Sequence, residues 1–201
     1  EGTTAPIKEI SKLCIQYDSK LLIDEAHAFG VMGSAGRGES FELKEPISII
    51  SGTFGKAFGS GGAFLATDKI TGKNLIQNCG AFRYTTALAP PLCASALAAL
   101  NLIESNPNWG GELKEKSKAL RDRLSQVGWQ RPAGEGPIIS IILGSDRLAM
   151  DYQERLEAEG LLTVAIRPPT VPEGKSRLRL VIRRNTPDQA FERLIEILKH
   201  K

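Results

Sequence analysis

The chain has 201 residues, 41% hydrophobic and 24% charged, with 26 basic against 23 acidic side chains and a formal charge of +3. At roughly 150 residues per domain that length allows one large domain or two small ones, and the composition excludes disordered, collagen-like and disulfide-stapled chains. The apolar stretch Ala87 to Leu100 is 14 residues long and interrupted by Pro and Ser, short of the ~18 to 20 residues of a membrane helix, so no membrane partner is expected. Cys14, Cys79 and Cys93 are odd in number and form no CxxC pair. They read as buried reduced thiols of a cytoplasmic protein, with no metal site. Residues 1–100 carry 9 basic and 9 acidic side chains and residues 101–201 carry 17 and 14. So weak and one-sided a balance does not argue for nucleic acid.

Residue 1 is Glu, and the first ten residues hold neither a basic nor an apolar targeting segment, so the chain is expected to begin in mid-protein. In Ala5 to Tyr17, Ile7, Ile10, Leu13 and Cys14 fall at helical spacing behind Pro6, which predicts an amphipathic helix. KLLID (Lys20 to Asp24) is a short apolar run ending in an acid, the pattern of a buried parallel strand that delivers a side chain to its C-terminal edge. PISIIS (Pro46 to Ser51) and GGAFLAT (Gly61 to Thr67) are further strands, and Leu92 to Glu104 is an Ala-rich helix after a double proline. Alternating strands and helices predict an α/β fold with a mostly parallel sheet.

The breaker cluster SNPNWGG (Ser105 to Gly111) marks a domain boundary, giving 1–106 and 107–201. Beyond it the order is helix (Glu112 to Val127), strand (Pro137 to Leu143), helix (Arg147 to Glu159), strands (Leu161 to Arg167 and Arg177 to Ile182) and helix (Pro187 to Lys199). That is a small C-terminal α+β domain.

Chemistry concentrates in three patches. DEAHAFGVMGSAGRG (Asp24 to Gly38) leaves a strand end with an acid, a histidine three residues on and four glycines, so both side chains can aim into one crevice. Asp24 is equally suited to a cap or turn and His27 to a structural hydrogen bond. DEAH also occurs in helicase boxes, but the GxxxxGK[ST] loop those need is missing: Gly55-Lys56 is followed by Ala57, and position 50 is Ile. In SGTFGKAFGSGG (Ser51 to Gly62), Lys56 is surrounded by glycines, each costing about 1 kcal/mol in a helix. This is either a loop whose backbone must approach a ligand, with a lysine fit for Schiff-base chemistry, or a flexible surface loop. IRPPTVPEGKSRLRLVIRR (Ile166 to Arg184) has six basic residues and one acid, with Arg177 and Arg179 on one face of a strand. A guanidinium there suits bidentate capture of a carboxylate, or protects a sheet edge by charge.

Taken together, LLIDEAHAFGVMGSAGRG, SGTFGKAFGSGGAF, RYTTALAPP and AIRPPTVPEGKSRLRL, in that order, closely resemble the α-oxoamine synthase family of pyridoxal-phosphate enzymes. The resemblance covers the whole chain and the later half of such an enzyme. It implies a partial fold-type-I transferase: the remainder of the large cofactor-binding domain in 1–106 and the small domain in 107–201. It also implies a homodimer whose active site is shared between subunits, acting on an amino acid and an acyl thioester. On the family pattern Lys56 carries pyridoxal 5'-phosphate, Asp24 pairs with its ring nitrogen and His27 hydrogen-bonds its phenolic oxygen. Thr53 contacts the phosphate, Thr85 and Thr86 match a position whose hydroxyl reaches the phosphate of the neighbouring subunit, and Arg179, with Thr170 nearby, holds the amino-acid carboxylate. Arg177 and Arg183 are left structural. The branch that condenses L-alanine with a pimeloyl thioester in biotin synthesis is the nearest match. Glycine- or serine-using members, or a non-catalytic dimerising subunit, are the alternatives.

The resemblance also implies that an earlier segment of the large domain, including a side chain that stacks on the cofactor, lies outside these residues. The purified 201-residue chain is therefore expected to be inactive, and measurable turnover by a preparation of confirmed intact mass overturns that expectation.

Overall fold

The structure, a computed structural model, describes residues 1–199. It divides into two compact units, Ala5–Gly111 and a second one made of Glu1–Thr4 with the residues from Glu112 onward. In the first unit α1 (Ile7–Gln16) leads into β1 (Leu22–Asp24), and a looped segment with a short 3-10 turn at Ser34–Gly36 precedes β2 (Ile49–Thr53) and β3 (Ala63–Thr67). The sheet order is β1-β2-β3. β1 runs parallel to β2, with Leu22 opposite Ile49 and Asp24 opposite Ser51. β3 runs antiparallel to β2. The class is the α/β expected, but the sheet is mixed, because residues 54–62 join β2 to β3 without a crossover helix and a link that short can only return the chain antiparallel.

Gly52 stands directly opposite Phe64 in this hairpin. A Cβ at position 52 would lie 2.4 Å from the Phe64 ring, so the aromatic side chain occupies the room that the glycine leaves.

Three helices complete this unit: α2 (Lys69–Asn78), α3 (Gly80–Arg83) and α4 (Pro90–Ser105). None of the three buries a residue, and the thiols expected to be buried are not, because their helices pack loosely: Cys93 is exposed and Cys14 and Cys79 are half-buried. Helix α2 is not among the elements expected from the sequence: at 69–78 Gly72 interrupts the pattern and no apolar stripe marks a helix. The cap Asp68 starts it, its carboxylate accepting from Ile70 N and Thr71 N. Pro90 and Pro91, expected to precede α4, form its first turn, where a missing N–H costs nothing. The next helix, α5 (Trp109–Gln126), starts inside the expected linker. Gly110 permits this, because a Cβ there would meet the Val31 carbonyl oxygen at 2.4 Å.

The second unit adds β4 (Ile138–Gly144), α6 (Asp146–Ala158), β5 (Val164–Ile166), β6 (Ser176–Val181) and α7 (Asp188–Lys199). β6 lies between β4 and β5 and runs antiparallel to both. Strand alternation sends Leu178 and Leu180 into the core with Leu124, Ile139, Tyr152, Leu156 and Leu198, which leaves Arg177 and Arg179 on the opposite face. The Trp129 indole N–H donates to the Leu198 carbonyl at 2.9 Å, and its ring meets Tyr152 edge-on. Arg121 is fully buried and donates to the carbonyls of Gly136 and Ile138 at 2.9 and 2.8 Å, which fixes the approach to β4.

The core of this unit tolerates little truncation. Leu178→Ala removes a side chain with 0% exposure and is expected to destabilise by roughly 2–5 kcal/mol, whereas Ile70→Ala, at a position 82% exposed, should stay within about 0.5 kcal/mol. Urea unfolding of both variants checks the contrast.

Candidate active site

Parallel pairing puts the C-terminal ends of β1 and β2 at one edge, and with them Asp24 and Thr53. They share a cleft of about 570 Å³ with Thr85 and Thr86, which are exposed on the segment between α3 and α4; Gly52 and Ala63 lie on the same wall. One carboxylate oxygen of Asp24, Oδ1, accepts from Ala26 N at 2.8 Å. That turn fixes the carboxyl group and leaves Oδ2 without a hydrogen bond among the described residues. The Thr53 hydroxyl donates to the Gly62 carbonyl at 3.1 Å and accepts from Gly55 N at 3.1 Å. It thereby closes the loop that carries Lys56.

Lys56 is exposed on that loop and His27 is exposed after β1; neither is on the cleft's lining. Arg179, half-buried in β6, and Thr170, exposed in the turn after β5, belong to the second unit. Thr170 N donates to the Arg167 carbonyl at 3.0 Å across the cis Pro168-Pro169 bond. Arg179 has no carboxylate partner among the described residues, so its guanidinium is available to an anion. No group of His, Cys, Asp and Glu suited to a metal occurs among the described residues.

Two features of the site were not anticipated from the sequence. Glu25, beside Asp24, is 3% exposed, and its carboxylate accepts from Glu39 N at 3.1 Å and Ser40 N at 2.7 Å. It ties the far end of the glycine-rich loop back to the strand tip. Gly38, at φ +92°, leaves room for it, since a Cβ there would come within 2.9 Å of the Glu25 carboxyl. The second feature is an aromatic anchor under the lysine loop. Phe58 is buried, stacks on Phe29 with ring centroids 4.9 Å apart and meets Phe54 edge-on, while the Ser60 hydroxyl donates to the Leu92 carbonyl at 2.7 Å. The phenylalanines at 54, 58 and 64 were a visible signal, but only the folded hairpin shows that they meet.

Residues 1–198 match the family model for aminotransferase class I and II. The chain belongs to that family. It is 43% identical over 184 residues to a putative 8-amino-7-oxononanoate synthase of Acetivibrio thermocellus, covering 90% of this chain and 47% of that protein. Among solved structures it is similar to SPT with its PLP internal aldimine, at a TM-score of 0.90 and 25% identity over 98% of this chain and 51% of that one. It is also similar to 8-amino-7-oxononanoate synthase from Francisella tularensis, at a TM-score of 0.81 and 27% identity over 95% and 57%. The chain spans about half the length of the curated relatives it matches. These are α-oxoamine synthases, the family that the four motifs resemble, and the family's cofactor is pyridoxal phosphate.

The donors in the cleft fit that cofactor. A carboxylate with one oxygen uncommitted suits a protonated ring nitrogen, exposed threonine hydroxyls suit a phosphate, and a primary amine stands on the adjoining loop. The Thr53 hydroxyl, whose proton already goes to Gly62, must rotate to donate to a phosphate oxygen.

Glu25→Ala leaves the amides of Glu39 and Ser40 without their acceptor and is expected to cost about 1–3 kcal/mol. A urea unfolding midpoint equal to that of the unaltered chain would show that the carboxylate does not hold the loop.

Proposed function

We propose that this chain carries the lysine-bearing part of an active site for the decarboxylative condensation of L-alanine with a pimeloyl thioester, either pimeloyl-CoA or a pimeloyl carrier protein, giving 8-amino-7-oxononanoate. The observation that carries the reading is the convergence of Asp24 and Thr53 on one cleft at the strand ends, in a chain similar to proteins named for that product.

Bound in the cleft, pyridoxal phosphate supplies a cationic ring that accepts the electron pair released at the substrate's α-carbon. The Asp24 carboxylate keeps the ring nitrogen protonated, and its turn to Ala26 N prevents it from swinging away. Lys56 would hold the cofactor through its Nζ, and the same amine would take the α-proton of the amino acid and return a proton to the product. Its glycine-rich loop lets the backbone come close enough for both tasks, and Phe58 keeps the loop seated. His27 donates to the phenolic oxygen. Thr53 holds the phosphate, and Thr85 and Thr86 reach the phosphate of a second subunit, which makes the working form a homodimer in the cytoplasm. Arg179 receives the amino-acid carboxylate, with Thr170 as a second substrate-binding residue. The likeness to SPT supports a serine-using alternative with the same residues in the same roles.

Incubation with pyridoxal phosphate, borohydride reduction and peptide mass mapping should give one adduct, on Lys56, that is absent from Lys56→Ala. Scattered adducts, or turnover by Lys56→Ala in the complete enzyme, would sink the assignment. Alanine and glycine differ by one methyl group, so the complete enzyme should prefer alanine by roughly 10- to 200-fold in kcat/KM. Preference for serine instead selects the alternative.

A further inference from the structure

β6 places Arg177 and Arg179 on the same face, two residues and therefore about 6.6 Å apart along the strand. Their surroundings differ sharply. The Arg177 side chain is 7% exposed; its guanidinium donates through Nη1 to the Glu1 carboxylate, and through Nε to the Lys175 carbonyl at 3.0 Å. Glu1 reaches it because Glu1–Thr4 packs with this unit. Gly2 crosses so near β4 that a Cβ would lie 2.0 Å from the Ile138 carbonyl oxygen. Arg177 and Glu1 line a cavity of about 100 Å³ together with Arg131 and Ser140. Arg131 has its own acid, Asp122, at 2.8 Å. Ser140 is the register partner of Arg179, which alone of these three arginines has no carboxylate among the described residues.

We infer that Glu1 and Arg177 set the charge specificity of the carboxylate site at Arg179: by neutralising one of two adjacent guanidiniums, Glu1 leaves a face that takes a single carboxylate and discriminates against a second. This rests on the reading of Arg179 as the carboxylate holder and adds positioning residues to it. Two uncommitted guanidiniums at this spacing would form a site for a dicarboxylate, since each negative charge could make its own charge-assisted pair. With Arg177 already paired, a second carboxylate meets the exposed Glu1 charge instead, and like charges brought together repel. The strength of the Glu1 pairing is consistent with this. Hydrogen bonding to Arg177 and its positive charge hold the Glu1 carboxyl below the usual carboxylate range, so it stays ionised wherever an amino-acid substrate carries its own carboxylate.

The test follows the arginine Nε–Hε NMR signals of the 201-residue chain during titration with acetate and, separately, with succinate. In the unaltered chain both anions should move the Arg179 signal, with dissociation constants within about threefold of each other. In Glu1→Gln, succinate is expected to bind at least tenfold tighter and to move the Arg177 signal as well, while acetate affinity changes less than twofold. The double variant Glu1→Gln with Arg177→Met should lose that gain. A purely structural role for the pair predicts parallel weakening for both anions, and parallel changes, or none, overturn the proposal. An Arg179 signal indifferent to acetate in the unaltered chain overturns the assignment beneath it as well, which separates the two failures.

Discussion

Three residues of parallel pairing between β1 and β2 decide where chemistry can occur in the first unit. A parallel ladder brings like ends of strands together, so Asp24 and Thr53 arrive at one edge by backbone hydrogen bonding alone. The hairpin to β3 then carries the chain away from that edge and back, and the lysine loop is the excursion. Its position follows from the ladder on one side and from a hydroxyl, an aromatic stack and a carbonyl on the other. Glu25 does the same for the loop after β1: a buried charge satisfied by two amides is a rigid tie, because releasing either amide would expose an unpaired polar group to a dry interior.

The two units use burial differently. The one containing α6 and α7 closes a continuous core over one face of its sheet and leaves the other face to Arg177 and Arg179. The other holds its shape with few buried apolar side chains, Leu21, Ile23, Met32 and Phe58, and its helices present Leu97, Leu102 and Ile70 to solvent. The rigidity of its strand-end edge comes from polar ties more than from packing, so single hydrogen bonds carry more of the geometry there.

Much of this was legible in the amino-acid order. The amphipathic first helix, the acid-terminated strand and the three motif patches stand where periodicity and glycine placement put them, because those signals are local. What was hidden depended on partners distant in sequence. Nothing around Gly110 announces that Val31 waits for it, so the breaker cluster looked like a linker when part of it is helix. Helix α2 lacks an apolar stripe, and its one signal, the capping Asp68, reads as an ordinary turn residue. Glu25 was overshadowed by Asp24, since a carboxylate's burial cannot be seen from its neighbours. The Glu1 partner of Arg177 was hidden because it lies 176 positions away in the chain.

The opposition of Gly52 and Phe64 across the hairpin has a consequence for how such a chain can change over generations. The ring fills space that belongs to the missing side chain, so neither position can be altered alone without either a collision or a hole. Any substitution at 52 becomes acceptable only in a lineage where 64 has already shrunk, and a smaller residue at 64 leaves a glycine unsupported in mid-strand until 52 grows. The pair is thus inherited as one character, and a search for variants with a reshaped cleft must move both positions in the same step.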